Sequence, residues 1–112
     1  MKYIITENQM NRAVFKWLNS EYGDLEPFKT EKYPNHTFFM KNGEIVFDYN
    51  GNGQVGISYD HIWRFLSSFF GLEKEEIQDL TKQWVEKNYG LFVRRIYPEI
   101  NDSIHWWRNI TN

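Results

Sequence analysis

The stretch from His36 to Tyr59 constrains the fold of this chain more than any other. It reads His-Thr-Phe-Phe-Met-Lys, Asn-Gly, Glu-Ile-Val-Phe-Asp-Tyr, Asn-Gly-Asn-Gly, Gln-Val-Gly-Ile-Ser-Tyr. Two glycine-bearing turns separate three strand-length runs, the pattern of an antiparallel meander. Asn42-Gly43 suits a two-residue type I′ hairpin, whose central residues both need positive φ. Such a loop pairs Lys41 with Glu44, Met40 with Ile45, Phe39 with Val46 and Phe38 with Phe47. The expected apolar face is then Phe38, Met40, Ile45, Phe47 and Tyr49. The expected wetter face is Thr37, Phe39, Lys41, Glu44, Val46 and Asp48. For Val55, Ile57 and Tyr59 to join the apolar face, the loop at Asn50–Gly53 must have odd length, with a glycine bulge.

Helical patterns flank the meander. Thr6 with Gln9 reads as a capping box, with Ile5 and Met10 placed as a hydrophobic staple. Met10, Ala13, Val14, Trp17 and Leu18 follow as one buried stripe, and Gly23 stops the helix. Pro27 and Pro34 punctuate the next segment, leaving room for a short edge strand near Phe28–Tyr33. After the meander, Asp60 is a candidate N-cap for a helix through Phe70, with Ile62, Leu66, Phe69 and Phe70 inward and Gly71 as terminator. A second helix is expected from Glu73 to Tyr89, with Ile77, Leu80, Trp84 and Val85 inward. Glu73, Glu75 and Glu76 suit its first turn, where the helix dipole favours negative charge. Leu91–Tyr97 reads as a last strand. Residues 98–112 form a less ordered tail or a short docked helix carrying Ile104, Trp106, Trp107 and Ile110. The expected class is therefore α+β, in one domain spanning 1–112: an N-terminal helix, a three- to four-stranded antiparallel meander, a helix hairpin, then a C-terminal strand and tail.

Composition narrows the function classes. There are five Trp, seven Tyr and nine Phe, more rings than a small core holds, which hints at a contact surface. The formal net charge is −2 and the pI about 5.9, against nucleic-acid binding through bulk positive charge. The chain has no cysteine, so no disulfide framework, thiolate nucleophile or Cys-based zinc site. No signal-peptide pattern and no membrane-length apolar run is present, so the expected location is cytoplasmic.

Asp48, Asn50, Gly53 and their neighbours resemble the first half of an EF-hand loop, which makes calcium at Asp48, Asn50 and Asn52 an option. The twelfth position, however, is Tyr59 and not a bidentate carboxylate. The run is read as a hairpin turn and not as a metal site. The Asp60–Tyr89 helix pair has helix-turn-helix length, yet its second helix opens with Glu73, Glu75 and Glu76, which phosphates would repel. A basic and aromatic cluster, Arg94, Arg95, Trp106, Trp107 and Arg108 with His105 beside it, has the residue types that stack bases and grip phosphates. Strand alternation sets Arg94 and Arg95 on opposite sides, so at most one joins that patch. His36, His61 and His105 lack metal-ligand spacing, and no serine sits in a nucleophile elbow. No catalytic residue and no cofactor are expected.

The opening Met1-Lys2-Tyr3-Ile4-Ile5-Thr6-Glu7-Asn8-Gln9, and the aromatic-acidic style of Asp60–Val85 with Gln78-Asp79-Leu80-Thr81-Lys82, resemble short open reading frames of marine phages and ocean metagenomes. That group has no activity to carry over. The resemblance implies a small, virus-encoded accessory protein acting inside a bacterial host. The leading expectation is a non-enzymatic protein that binds a protein partner or itself through half-exposed aromatics, either Phe39 and Val46 or the Trp106-Trp107 tail. The alternative is a nucleic-acid-binding module using the C-terminal Arg and Trp cluster.

Overall fold

The computed structural model of the protein describes residues 7–99. The proposed Thr6 cap and Ile5 staple, and the tail from Ile100 onward, lie outside the described residues. In chain order the elements are α1 (Glu7–Tyr22), β1 (Glu26–Phe28), β2 (His36–Lys41), β3 (Glu44–Asn50), β4 (Gln54–Ser58), a π-helical turn (Tyr59–Trp63), α2 (Arg64–Ser68), α3 (Lys74–Tyr89) and β5 (Arg95–Glu99). The class is α+β. The sheet has five strands in the order β1-β2-β3-β4-β5 and is mixed, not purely antiparallel. β1 to β4 form an antiparallel meander, and β5 lies parallel to β4. The helices between β4 and β5 carry the chain back to the end where β4 began, so the strands run the same way.

The hairpin at Asn42-Gly43 forms as expected, with φ of 53° and 81° at its two residues, and it pairs Lys41 with Glu44 and Met40 with Ile45. The ladder then slips. Phe39 pairs with Phe47 and Phe38 with Asp48, which leaves Val46 without an opposite number. This is a β-bulge, and one extra residue reverses every side chain beyond it relative to the partner strand. Phe38 and Phe47, expected on one face, therefore belong to different clusters. Phe39 and Val46, expected on the wetter face, are core residues at 6% and 1% exposure.

The second loop has odd length: Tyr49 pairs with Val55 and Phe47 with Ile57, which leaves Gly51–Gly53 outside the ladder beyond Asn50 and Gln54. The Gly53 N–H donates to the Asn50 carbonyl at 3.2 Å, and Gly53 has φ of +89°. That is a turn followed by a left-handed glycine, a common form of three-residue hairpin.

One face of the sheet packs against the helices. Phe39, Val46, Phe47, Val55, Ile57 and Ile96 share a core with Val14, Leu18 and Tyr22 of α1, Ile62, Trp63 and Leu66 of the π turn and α2, and Ile77, Leu80, Trp84 and Val85 of α3. Phe38 and Ile45, with Phe28, Tyr33 and Met40 against them, form a separate cluster. Ala13, assigned to the stripe of α1, is exposed.

Helix ends follow local chemistry. The residue capping the helical segment after β4 is Ser58 and not Asp60: Ser58 Oγ accepts the His61 N–H at 3.2 Å. The strand enters the helix directly, so its last extended residue takes the cap position. At the start of α3, the Glu76 carboxylate accepts the Glu73 N–H at 3.0 Å, and Gly90 in the left-handed region ends the helix. β1 is shorter and earlier than the expected Phe28–Tyr33. β5 begins later than Leu91 and continues through Pro98, where a tail was expected.

Candidate functional site

Besides a lone exposed Phe92 ahead of β5, two groups of described residues depart from a closed, fully packed domain. The first is an aromatic ledge. Trp17 of α1 stacks on Phe65 of α2, with centroids 4.1 Å apart and planes at 10°. Phe65 stacks in turn on Phe69 at 4.9 Å and 15°. Phe70 closes the group edge-on, 5.8 Å from Phe65 and 5.2 Å from Phe69. Phe65 and Phe69 meet because residues four apart lie one above the other along a helix. α2 ends at Ser68, however. The Leu72 N–H reaches back to the Leu66 carbonyl at 3.2 Å, with Gly71 left-handed between them, a helix-closing motif that seats Leu72 in the core. Phe69 is left past the last turn, 71% exposed. It was assigned inward from its spacing to Ile62 and Leu66, and the early helix stop overturns that. Phe65 was missed, although its four-residue spacing to Phe69 was the available signal.

The second feature is a buried acid. Asp48 of β3 has a side chain only 1% exposed, and its Oδ2 lies 3.0 Å from His36 Nδ1, on a side chain 26% exposed. His36 stands opposite Asn50 in the ladder, so Asp48 is its diagonal neighbour on the same face. Among the described residues, Asp48 Oδ1 is buried with no hydrogen bond of ordinary geometry. Burial pushes the Asp48 carboxyl up from 3.8 to about 7, against the smaller lowering effect of the Asp48 and Gly56 amides. Sequence reading placed Asp48 on a wet face. The bulge at Val46, which no pattern in β3 announces, sets it beside Phe38 instead.

Arg94 and Arg95 both line one shallow groove, together with Glu75, Gln78, Asp79 and Lys82 of α3. Strand alternation does not separate them, because Arg94 precedes β5. Trp106, Trp107, Arg108 and His105 lie outside the described residues. In the Asn-Gly loop, Asn50 Oδ1 accepts the N–H groups of Asn52 and Gln54, both at 3.0 Å, and so organises the turn. Asp48 Oδ2 faces His36 rather than that loop. His61 Nε2 lies 2.9 Å from Glu44 Oε2 and ties the π turn to the hairpin tip.

Comparison with protein-family models, with curated proteins and with solved structures finds no match.

Proposed function

We propose that the protein is a small non-enzymatic interaction protein that self-associates through the Trp17–Phe65–Phe69–Phe70 ledge. The observation that carries this reading is Phe69, 71% exposed at the end of a three-ring stack. Covering such a ring gains about 1.5–3 kcal/mol, and ring pairing across an interface adds about 0.5–1.5 kcal/mol. The partner is a second copy, because small neutral residues flank the rings and the charges nearby are of both signs, exposed Lys16 and Arg64 beside Trp17 and Phe65 and exposed Glu73 beyond Gly71. Ala13 and Ser20, one turn either side of Trp17, and Ser67, Ser68 and Gly71 beside Phe69 are small, neutral and exposed. Glu21, also a turn from Trp17, is engaged by Lys41 at 3.7 Å. A patch that meets its own image must not repel itself, and one with small edges and charges of both signs satisfies that.

A non-enzymatic role is supported by the closure of the His36–Asp48 pair, whose carboxylate is almost wholly out of solvent. The nucleic-acid alternative draws support from Arg94, Arg95 and Lys82, but Glu75 and Asp79 share their groove and weaken its pull on phosphate. An accessory role in a phage-infected bacterium fits this reading.

Light scattering across a concentration series tests it. The apparent mass should climb from 13.7 kDa toward twice that value, and Phe69→Ser should hold the protein at monomer mass with its circular dichroism unchanged. A wild-type protein that stays monomeric throughout overturns the proposal, as does a Phe69→Ser variant that dimerises like wild type.

A further inference from the structure

We propose that Asn42 is a site of spontaneous covalent modification: in the folded protein it alone, of three Asn-Gly pairs, closes to a succinimide and reopens as isoaspartate or aspartate. The pairs are Asn42-Gly43, Asn50-Gly51 and Asn52-Gly53. In such a pair the glycine amide nitrogen, shielded by no side chain of its own, attacks the asparagine Cγ. The N–H proton passes to solvent base, the Cγ–Nδ2 bond breaks, and ammonia leaves with a proton from water. Water then adds to one of the two ring carbonyls. Opening at Cγ restores a normal backbone with aspartate. Opening at the main-chain carbon leaves isoaspartate, whose backbone is one methylene longer. The sum is one water consumed and one ammonia released.

By sequence the three pairs are equivalent, and the fold separates them. The reaction needs a glycine N–H that is not already donated and an asparagine amide that can swing onto the nitrogen. Neither condition holds at Asn50. Its Oδ1 accepts the N–H groups of Asn52 and Gln54, both at 3.0 Å, and its Nδ2 donates to Gln54 Oε1 at 2.9 Å. The Gly51 N–H donates to the Asn35 carbonyl at 2.9 Å. At Asn52 the side chain is exposed, but the next residue, Gly53, is buried. The Gly53 N–H donates to the Asn50 carbonyl at 3.2 Å, and Arg94 and Phe92 crowd the space beside its Cα.

Asn42-Gly43 meets both conditions. Both residues are exposed. Among the described residues, the Asn42 amide and the Gly43 N–H make no hydrogen bond. Apart from its chain neighbours, nothing lies within 4 Å of where a Gly43 Cβ would stand. The strands below are anchored: Lys41 reaches Glu21 at 3.7 Å, and His61 holds Glu44 at 2.9 Å. Those contacts stop at the strand ends, so rotation about the Asn42 Cα–C bond requires only the two-residue tip to open.

The two products differ in what they do to the hairpin. Asp-Gly suits a type I′ turn as Asn-Gly does, so aspartate keeps the tip and adds one negative charge between Lys41 and Glu44. The longer backbone of isoaspartate does not fit a two-residue loop, and it loosens the register that sets Lys41 opposite Glu44.

Peptide mapping of the full chain tests the proposal. Wild-type protein is held in mildly alkaline buffer, one sample folded and one in urea. The tryptic peptide Asn42–Arg64, which carries all three pairs, is then read by tandem mass spectrometry with electron-transfer fragmentation. In urea the three asparagines should convert at similar rates. In the folded protein Asn42 should convert roughly tenfold or more faster than Asn50 and Asn52, whose hydrogen bonds must break first, and its product should contain isoaspartate. Comparable rates at the three sites in the folded sample overturn the proposal, as does a folded Asn42 that stays intact while the unfolded chain converts. Aspartate without isoaspartate at position 42 also overturns it, because direct hydrolysis of the amide is then the route.

Discussion

At the residue scale, two positions carry local costs that the fold must offset. Gly53 has φ of +89°, and a Cβ there would lie 2.9 Å from Arg94 Cγ and 3.2 Å from the Arg94 nitrogen and the Phe92 carbonyl oxygen. Gly53→Ala should therefore destabilise the protein by about 1–3 kcal/mol in urea unfolding, because both the backbone conformation and the contact with the chain entering β5 are disturbed. The Gly53 carbonyl already accepts the Arg94 N–H at 2.7 Å, so the two backbone contacts of the added Cβ have little room to give, whatever the Arg94 side chain does. Asp48 is the second position. Burial raises its carboxyl from 3.8 to about 7, so holding the charged form inside opposes folding, a cost absent at low pH and complete above about pH 7. Sequence pattern identified Gly53 as a turn residue through its Asn-Gly context. It had no means of identifying Asp48, since a lone Asp between Phe47 and Tyr49 looks the same whether its side chain meets water or His36.

At the scale of elements, periodic segments were legible and ladder defects were not. The inward residues Ile77, Leu80, Trp84 and Val85 of α3 are all buried, because a sixteen-residue helix averages its 3.6-residue period over several turns. The Asn42-Gly43 turn and the odd second loop were also legible, since turn chemistry and face alternation each admit few solutions. Val46 was not. Bulges depend on how two strands fit together, and the run Ile45-Val46-Phe47 is compatible with a straight ladder. Deleting Val46 should give a straight ladder that keeps Phe39 opposite Phe47 and Phe38 opposite Asp48, so thermal unfolding should stay cooperative with the stability lowered by the loss of one buried side chain. Val46→Ala, which keeps the backbone count, should cost roughly 2 kcal/mol. A deletion variant that no longer unfolds cooperatively would contradict this register. The outer strands show a different device. β1 carries Pro27 at its centre and β5 carries Pro98, and proline interrupts the row of donors an open edge would offer another chain. Replacing Pro27 with Thr should raise thioflavin-detected aggregation on prolonged incubation, with little change in the fold.

Across the whole molecule, the expectation of a single greasy face under the helices holds only for part of the meander. Phe47, Val55 and Ile57 lie in the helix-facing core, whereas Phe38 and Ile45 lie in the smaller cluster with Phe28, Tyr33 and Met40. The candidate sites divide in the same way: the exposed ledge belongs to the helical layer, and the buried acid belongs to the opposite face of the sheet. No helix among the described residues is long and apolar enough to cross a membrane. The ledge was only half legible, because excess aromatic content signals a contact surface but the end of α2 decides which rings are left outside. The two-faced sheet created by Val46 is the claim on which the remainder depends. Aromatic nuclear Overhauser contacts test it most directly. The Phe47 ring lies 5.5 Å from Tyr89 and 6.2 Å from Trp84 by centroid, so cross-peaks to both are expected. Phe38, 5.9 Å from His36 and 6.4 Å from Tyr33, should give cross-peaks to those rings and none to Tyr89 or Trp84. Cross-peaks from Phe38 to Trp84 or Tyr89 would place both phenylalanines on one face and contradict the bulge.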